Sequence, residues 1–113
     1  MKSITLIMLS FLIAGAALAA PPTMTKEQVK EIAAFVVEKE RKNTDPISDP
    51  SYDEKTGIWS CITLTGLVHG DVMIEIRDKD RYYRTFTYSS ASLNKFRMSP
   101  GLRRKIIKIA PIP

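Results

Sequence analysis

The sequence predicts a small α+β domain in which one N-terminal helix packs on a three- to four-stranded antiparallel meander. The first observation is an amphipathic pattern over residues 26–42, where apolar residues recur at the spacing of one helix face. The second is a set of three runs with alternating apolar residues, 58–64, 71–77 and 82–88, joined by short polar or glycine-bearing turns. Such a sheet has one apolar face, and the helix is expected to cover it.

Residues 1–19 are expected to be a cleaved secretory signal peptide. Lys2 provides a short positive region, Ile4–Leu12 is almost entirely apolar, and Ala17–Ala19 forms a small-x-small cleavage site. The apolar run is shorter than the roughly 20 residues that a membrane-spanning helix needs, which argues against a retained anchor. Residues 20–113 then form a single small domain of an exported protein.

The cysteine content indicates the cellular compartment of the exported protein. Cys61 is the only cysteine, so the domain cannot close an internal disulfide. Small secreted domains of animals are often held together by several disulfides, and this chain does not fit that class. We therefore expect a bacterial protein of the periplasm or the extracellular space.

The helix has complete start signals. Thr25 is a good N-cap, and Gln28 lies three residues further on, which together make a capping box. The apolar stripe that follows falls on one face: Val29, Ile32, Ala33 and Val36. Two prolines, Pro46 and Pro50, favour an extended connection after the helix.

The strands begin with a hairpin. Tyr52 lies in a short first strand, and Gly57 is placed to end a type I turn in a left-handed conformation. In the next strand, Trp59 and Cys61 point to one face while Ile58 and Ser60 point to the other. The third strand alternates most regularly, with apolar side chains on one face: Val72, Ile74 and Ile76.

The C-terminal segment fits two structures. Ser99-Pro100 supplies a helix cap followed by a proline at the first helical position, whereas residues 107–109 alternate as a strand would. We favour a helix that docks on the sheet edge, the alternative being a free amphipathic segment suited to an anionic membrane surface. We also expect one helical turn over Leu93–Met98. The docking side chains of the helix are Leu102, Ile106 and Ile109.

The charge is distributed unevenly along the chain. Residues 20–80 carry 8 Lys/Arg and 12 Asp/Glu, a net charge of −4, whereas residues 81–113 carry 8 Lys/Arg and no acid. Such asymmetry favours an anionic partner for the basic part. The alternative is that the basic part lies beside the acidic residues of the same chain, and the sequence leaves both open.

The sequence contains few residues that could support catalysis or bind a metal ion. His69 is the only histidine and follows Cys61 by eight residues, with no third group to orient such a pair. A zinc site of nitrogen and sulfur ligands therefore lacks ligands. The acids of residues 45–54 match no regular calcium-binding spacing. We expect no catalytic residues, no cofactor and no metal site.

A candidate binding surface comes from aromatic and basic residues in the second half of the chain. Aromatic side chains beside arginines are the ingredients of a stacking surface, although cross-strand aromatic pairs also stabilise a sheet without a ligand. Nucleic acid is a poor candidate partner for an exported protein. The candidate residues are Trp59, Arg81, Tyr83, Arg84, Arg103, Arg104, Lys105 and Lys108.

The stretch Ser51–Trp59, which reads Ser-Tyr-Asp-Glu-Lys-Thr-Gly-Ile-Trp, follows a helix and a proline-bearing linker. This arrangement, over Met24–Tyr88, resembles the small exported domains of the PepSY-like and NTF2-like immunity groups. The resemblance implies a helix on a short antiparallel sheet and a binding role as an inhibitor or immunity protein. The chain departs from it in the second turn, Asp78–Arg81, which lacks a glycine, and in its basic tail. No functional residue is carried over.

Two functions follow as hypotheses. The preferred one is an exported non-enzymatic binding protein, such as an inhibitor or immunity-like module, whose partner is another protein. The alternative is an envelope protein that binds anionic surfaces, such as lipid headgroups or lipopolysaccharide, through residues 81–108. The salt sensitivity of partner capture separates the two, because attraction to a polyanionic surface weakens strongly with ionic strength.

Export predicts a defined mature protein. Cleavage after Ala19 should leave a chain that begins at Ala20, because the small residues at 17 and 19 fit signal peptidase. Intact mass spectrometry of the protein recovered from the cell envelope measures this directly. A species that still carries Met1–Leu18 would contradict the prediction.

Overall fold

The computed structural model describes residues 21–64, 71–87 and 95–113. The predicted signal peptide, His69 and Tyr88 lie outside these ranges. The described elements are α1 (Lys26–Arg41), β1 (Ser51–Asp53), β2 (Ile58–Ile62), β3 (Met73–Arg77), β4 (Tyr83–Phe86) and α2 (Pro100–Ile109). The strands form one antiparallel sheet in the order β1-β2-β3-β4, which confirms the predicted α+β class. Within the described ranges, no helix has the length and apolar character to cross a membrane.

Helix α1 begins and ends as its local sequence dictates. The Thr25 side chain accepts a hydrogen bond from the Gln28 backbone N–H, and the Gln28 side chain accepts one from the Thr25 N–H, so the predicted capping box is confirmed. The helix ends at Arg41, and Lys42 caps it in a left-handed conformation with φ 55°. The buried face is fully apolar: Val29, Ile32, Ala33, Val36 and Val37.

The sheet turns one face toward α1. Trp59, Ile76 and Tyr83 are paired across β2, β3 and β4, and all three are buried. Because side chains alternate along a strand, the neighbouring register positions point to the other side, which we call the outer face. The core therefore lies between α1 and the inner face of the sheet.

The β1–β2 hairpin closes as predicted. Gly57 has a φ of +71°, a left-handed conformation that costs a residue without a side chain very little. Its N–H donates to the Asp53 carbonyl at 2.8 Å. The Tyr52 ring then packs on Trp59 with 5.0 Å between ring centroids, which joins the short edge strand to the core.

Residues 95–98 are extended, so the helical turn expected over Leu93–Met98 is wrong for this part; Leu93 and Asn94 lie outside the described ranges. Arg97 and Tyr83 exchange backbone hydrogen bonds of 3.0 and 2.9 Å. The reason is tertiary: β4 would otherwise leave its backbone groups without partners at the sheet edge.

Helix α2 confirms the helical interpretation of the C-terminal segment. Ile106 is fully buried, while Leu102 and Ile109 are partly buried against the same core, so the segment docks on the domain and is not a free tail. The predicted position, the sheet edge, is wrong, because α2 packs beside α1. Gln28 Nε2, for example, donates to the Ile109 carbonyl at 3.3 Å.

Replacement of Ile106 by alanine tests the docking of α2. We expect the free energy of unfolding to fall by about 2–5 kcal/mol, because Ile106 is fully buried and its loss leaves a cavity. Ile107→Ala, one position further on and partly exposed, is the matched control and should cost less than about 1 kcal/mol. Urea unfolding measures both; equal effects would mean that α2 is not docked as described.

Candidate functional site

Three of the eight candidate binding residues lie inside the protein. Trp59 is 4% exposed, Arg81 1% and Tyr83 0%. Trp59 and Tyr83 belong to the row of side chains that faces α1, and Arg81 lies in the turn that joins β3 to β4. The assignment of these three residues to a binding surface is therefore corrected: none of them offers an accessible face to a partner.

The β3–β4 turn instead holds a buried carboxylate. Asp78 accepts hydrogen bonds from the Thr23 N–H and hydroxyl at 2.9 Å each, from the Met24 N–H at 3.3 Å and from Trp59 Nε1 at 2.9 Å. Burial by itself raises the pKa of Asp78, but these hydrogen bonds to the charged form outweigh it, so the pKa lies below its ordinary value. The carboxylate stays ionised and ties the N-terminal segment to β2.

Arg81 is the buried cation of the same turn. Its guanidinium donates to the Ala110 carbonyl at 3.0 Å, the Pro111 carbonyl at 2.8 Å and the Thr23 hydroxyl at 2.7 Å, and also to the Asp78 carbonyl. Its φ is 64°, in the left-handed region that costs a non-glycine residue about 1–2 kcal/mol. These hydrogen bonds offset that cost, which explains how the turn forms without a glycine.

Of the candidate arginines, Arg84 lies in a strand, β4, and its register places it on the outer face. It pairs with Glu75 at 2.6 Å and lies over the rings of Phe86 and Phe96, with 5.3 and 4.7 Å to the centroids. Arg77 lies over Phe96 as well, at 5.1 Å, and is paired with Asp80. The sequence places Arg77 among the arginines that accompany the aromatic residues, but the candidate surface did not include it, and sequence reasoning missed Phe96.

Four cations of α2 behave differently from Arg84. All four are exposed, and within the described part of the chain none of them makes an ion pair. The idea of internal neutralisation holds for Arg84, and for Arg97, which is paired with Glu40, but it does not extend to α2. We call this surface the α2 cationic face: Arg103, Arg104, Lys105 and Lys108.

Apolar side chains border the α2 cationic face at its C-terminal end. Ile112 is 42% exposed, and Ile107 is partly exposed. Ile106 lies on the opposite side of the helix, in the core. The helix and the residues after it thus present four charges and two branched apolar groups to solvent.

An open groove of about 390 Å³ lies on the outer face of the sheet. The charged residues among those that line it, Asp49 and Glu75, are both acidic. Its apolar lining on the outer face comes from β2, β3 and β4: Ile62, Met73 and Phe86. We call it the outer-face groove.

The two groups considered for chemistry are differently placed. Cys61 is 8% exposed, and burial raises the pKa of its thiol to about 12, so the thiolate is scarce at neutral pH. His69 lies outside the described residues. Across residues 21–64, 71–87 and 95–113, no three His, Cys, Asp or Glu side chains come together in a way that could hold a metal ion.

A scan against protein-family models finds no match for this chain, and searches among curated proteins and among solved structures find none either.

Burial of Cys61 has a measurable consequence. Because the pKa is raised from 9.0 to about 12, alkylation of the native protein at pH 8 should be slower by about a factor of 1,000 than that of an ordinary thiol. Denaturation should restore the normal rate. A Cys61→Ala variant that also carries Lys55→Cys, in the exposed hairpin turn, is the control and should react rapidly in the native state. Fast native alkylation of Cys61, or a reducible dimer as the main form, would contradict the buried thiol.

Proposed function

We propose that this chain is an exported, non-enzymatic binding protein that captures an acidic region of another protein through the α2 cationic face. Such a module would act as an inhibitor or as an immunity-like protein. The observation that carries the proposal is the set of four exposed cations, on one short helix, without an ion pair in the described part of the chain.

A fixed helix supports binding better than a free basic tail. Ile106 anchors α2 in the core, and Arg81 holds the carbonyls of Ala110 and Pro111 at the end of the helix. The backbone of the cationic face is therefore ordered before a partner arrives. Ordering costs on binding are reduced to those of the long basic side chains themselves.

Charge on this face also favours rapid encounter. Clustered exposed cations attract an acidic surface over about a Debye length, close to 8 Å at physiological ionic strength. Complementary charges of this kind raise the association rate and exclude basic competitors. Some acidic residues of this chain are paired with cations outside α2, as Glu75 is with Arg84.

Cys61, the one thiol of the sequence, does not enter the proposal. It is buried and protonated, which makes it a small apolar core residue rather than a nucleophile. The function proposed needs no bond to be made or broken.

A second candidate function is supported by the apolar border of the same face. Ile107 is partly exposed on α2 among the cations, Ile112 is exposed three residues beyond the helix, and cations near apolar groups suit an anionic lipid surface or lipopolysaccharide. Each basic residue near such a surface contributes about 1 kcal/mol. The mixed composition of the face, rather than its charge, is what favours this candidate.

One experiment separates the two candidates. The mature protein is titrated against an acidic polypeptide, polyglutamate, and against vesicles with and without phosphatidylglycerol, at low and at physiological salt. The variant Arg103→Glu/Arg104→Glu/Lys108→Glu should lose affinity for polyglutamate by at least about tenfold, the factor that corresponds to 1.4 kcal/mol. The control Lys30→Glu/Lys55→Glu/Lys79→Glu changes the net charge equally, away from α2, and should retain binding.

The outcomes are distinct. Binding to polyglutamate that exceeds binding to anionic vesicles, and that depends on α2, supports capture of an acidic protein. Vesicle binding that depends on Ile112 as well as on Arg104 and Lys108 supports the second candidate instead. Equal losses in both triple variants would show that net charge alone is responsible and would remove α2 as the site.

A further inference from the structure

We infer that Thr23 positions α2 through the β3–β4 turn, and that a peptidase that removes the chain through Thr23 thereby lowers the affinity of the α2 cationic face. We call residues 21–24 the N-terminal clip. The effect on affinity rests on the proposed function, whereas the coupling between Thr23 and α2 is a property of the fold and has its own measurement.

The N-terminal clip supplies most of the hydrogen bonds of the buried Asp78 carboxylate. Oδ2 accepts from the Thr23 N–H and from the Thr23 hydroxyl, both at 2.9 Å, and Oδ1 accepts from the Met24 N–H at 3.3 Å. Trp59 provides a further bond to Oδ1. Without Thr23, the Oδ2 atom of a carboxylate that is 5% exposed loses both of these donors. A buried charge that loses its partners is strongly destabilised, so the turn is expected to open to water.

Thr23 also contacts the second charge of the turn. Its hydroxyl accepts a hydrogen bond of 2.7 Å from Arg81 Nη1 while it donates to Asp78. Arg81 has a φ of 64°, and a non-glycine residue keeps such a conformation only when the surrounding structure holds it there. One hydroxyl group therefore links the N-terminal clip to both buried charges of the turn.

Arg81 transmits this contact to α2. Its Nε donates to the Ala110 carbonyl at 3.0 Å and its Nη2 to the Pro111 carbonyl at 2.8 Å, at the C-terminal end of the helix. Arg81 is 1% exposed, so its guanidinium cannot move toward solvent without leaving these carbonyls. A displaced Arg81 therefore releases the last turn of α2, which includes Lys108 of the cationic face.

The N-terminal clip is accessible to a peptidase, although the turn is not. Pro21, Pro22 and Thr23 are exposed and precede the first helix, whereas Asp78 and Arg81 are buried. Exposed segments near chain ends are preferred sites of proteolysis. Proline lacks a backbone N–H and has a fixed φ, which excludes many peptidases. The enzyme class that fits this segment is an aminopeptidase that cleaves next to proline.

Hydrogen exchange at the Ala110 amide tests the coupling. This N–H donates to the Ile106 carbonyl at 3.0 Å, so its exchange reports on the last turn of α2. Thr23→Val keeps the shape of the side chain but lacks the hydroxyl. Exchange at Ala110 should become faster by about tenfold, because hydrogen bonds to two charged groups are lost. Thr23→Ser keeps the hydroxyl and should exchange at the parent rate.

The control separates this coupling from a loss of overall stability. Cys61→Ala removes a buried group of β2 and leaves the hydrogen bonds of the turn intact. It should lower the free energy of unfolding in urea without accelerating exchange at Ala110 under native conditions. Equal acceleration at Ala110 in Cys61→Ala and Thr23→Val overturns the inference, as does an Ala110 amide that is insensitive to Thr23→Val.

Two trimmed chains test the effect on binding. A chain that begins at Met24 lacks both Thr23 donors, and its affinity for polyglutamate should fall by about three- to tenfold, because the end of α2 then has to be ordered on binding. A chain that begins at Thr23 keeps the donors and should bind as the mature protein does. Thr23→Val in the full mature chain should shift the affinity in the same direction, which keeps the test decisive if the shorter chain does not fold.

The outcomes distinguish the coupling from the proposed function. If the mature protein binds polyglutamate through α2 while Ala110 is insensitive to Thr23→Val, the coupling is wrong and the proposed function stands. If Ala110 responds as described but the mature protein does not bind polyglutamate, the coupling stands and the proposed function is wrong. If both hold but Thr23→Val and the chain that begins at Met24 bind as the mature protein does, control of affinity by trimming is wrong.

Discussion

The β3–β4 turn carries two buried charged residues, Asp78 and Arg81, whose hydrogen bonds hold distant parts of the chain together. The Thr23 hydroxyl joins them, because it donates to the Asp78 carboxylate and accepts from the Arg81 guanidinium. Removal of either charge from water costs several kcal/mol, and only a full set of hydrogen bonds repays that cost. Among the described residues no buried side-chain nitrogen or oxygen lacks a partner, so the requirement is met. The entry to α1, the hairpin tryptophan and the end of α2 all depend on this turn.

This constraint determines what the two helices can do. Arg81 reaches the carbonyls of Ala110 and Pro111, and Ile106 fills the core beside α1, so α2 is fixed at its end and along its buried side. The remaining sides of a ten-residue helix then face water, and they carry the cations. A basic segment that the sequence leaves as either a folded part or a free tail thereby becomes a rigid charged surface.

The outer face of the sheet follows a different principle. Two arginines of this face are paired with nearby acids, Arg84 with Glu75 and Arg77 with Asp80. The Phe96 ring lies against both guanidinium groups. Partly exposed pairs of this kind contribute little to stability, about 0–1 kcal/mol each, but they consume the positive charge of this face. On α2, by contrast, four cations without an ion pair in the described part of the chain lie within six residues of one another.

The sequence by itself determined the local structure. The Thr25–Gln28 capping box, the glycine of the first hairpin, the shared face of Trp59 and Cys61, and the proline that begins α2 are each encoded within a few residues, because short-range hydrogen bonds and side-chain alternation decide them. Tertiary structure alone decided which charges would be buried. Arg81 looked like a surface cation because most arginines are, and Arg97 pairs with β4 because an open sheet edge needs a partner. Both outcomes depend on segments far apart in the chain, and no local pattern carries that information.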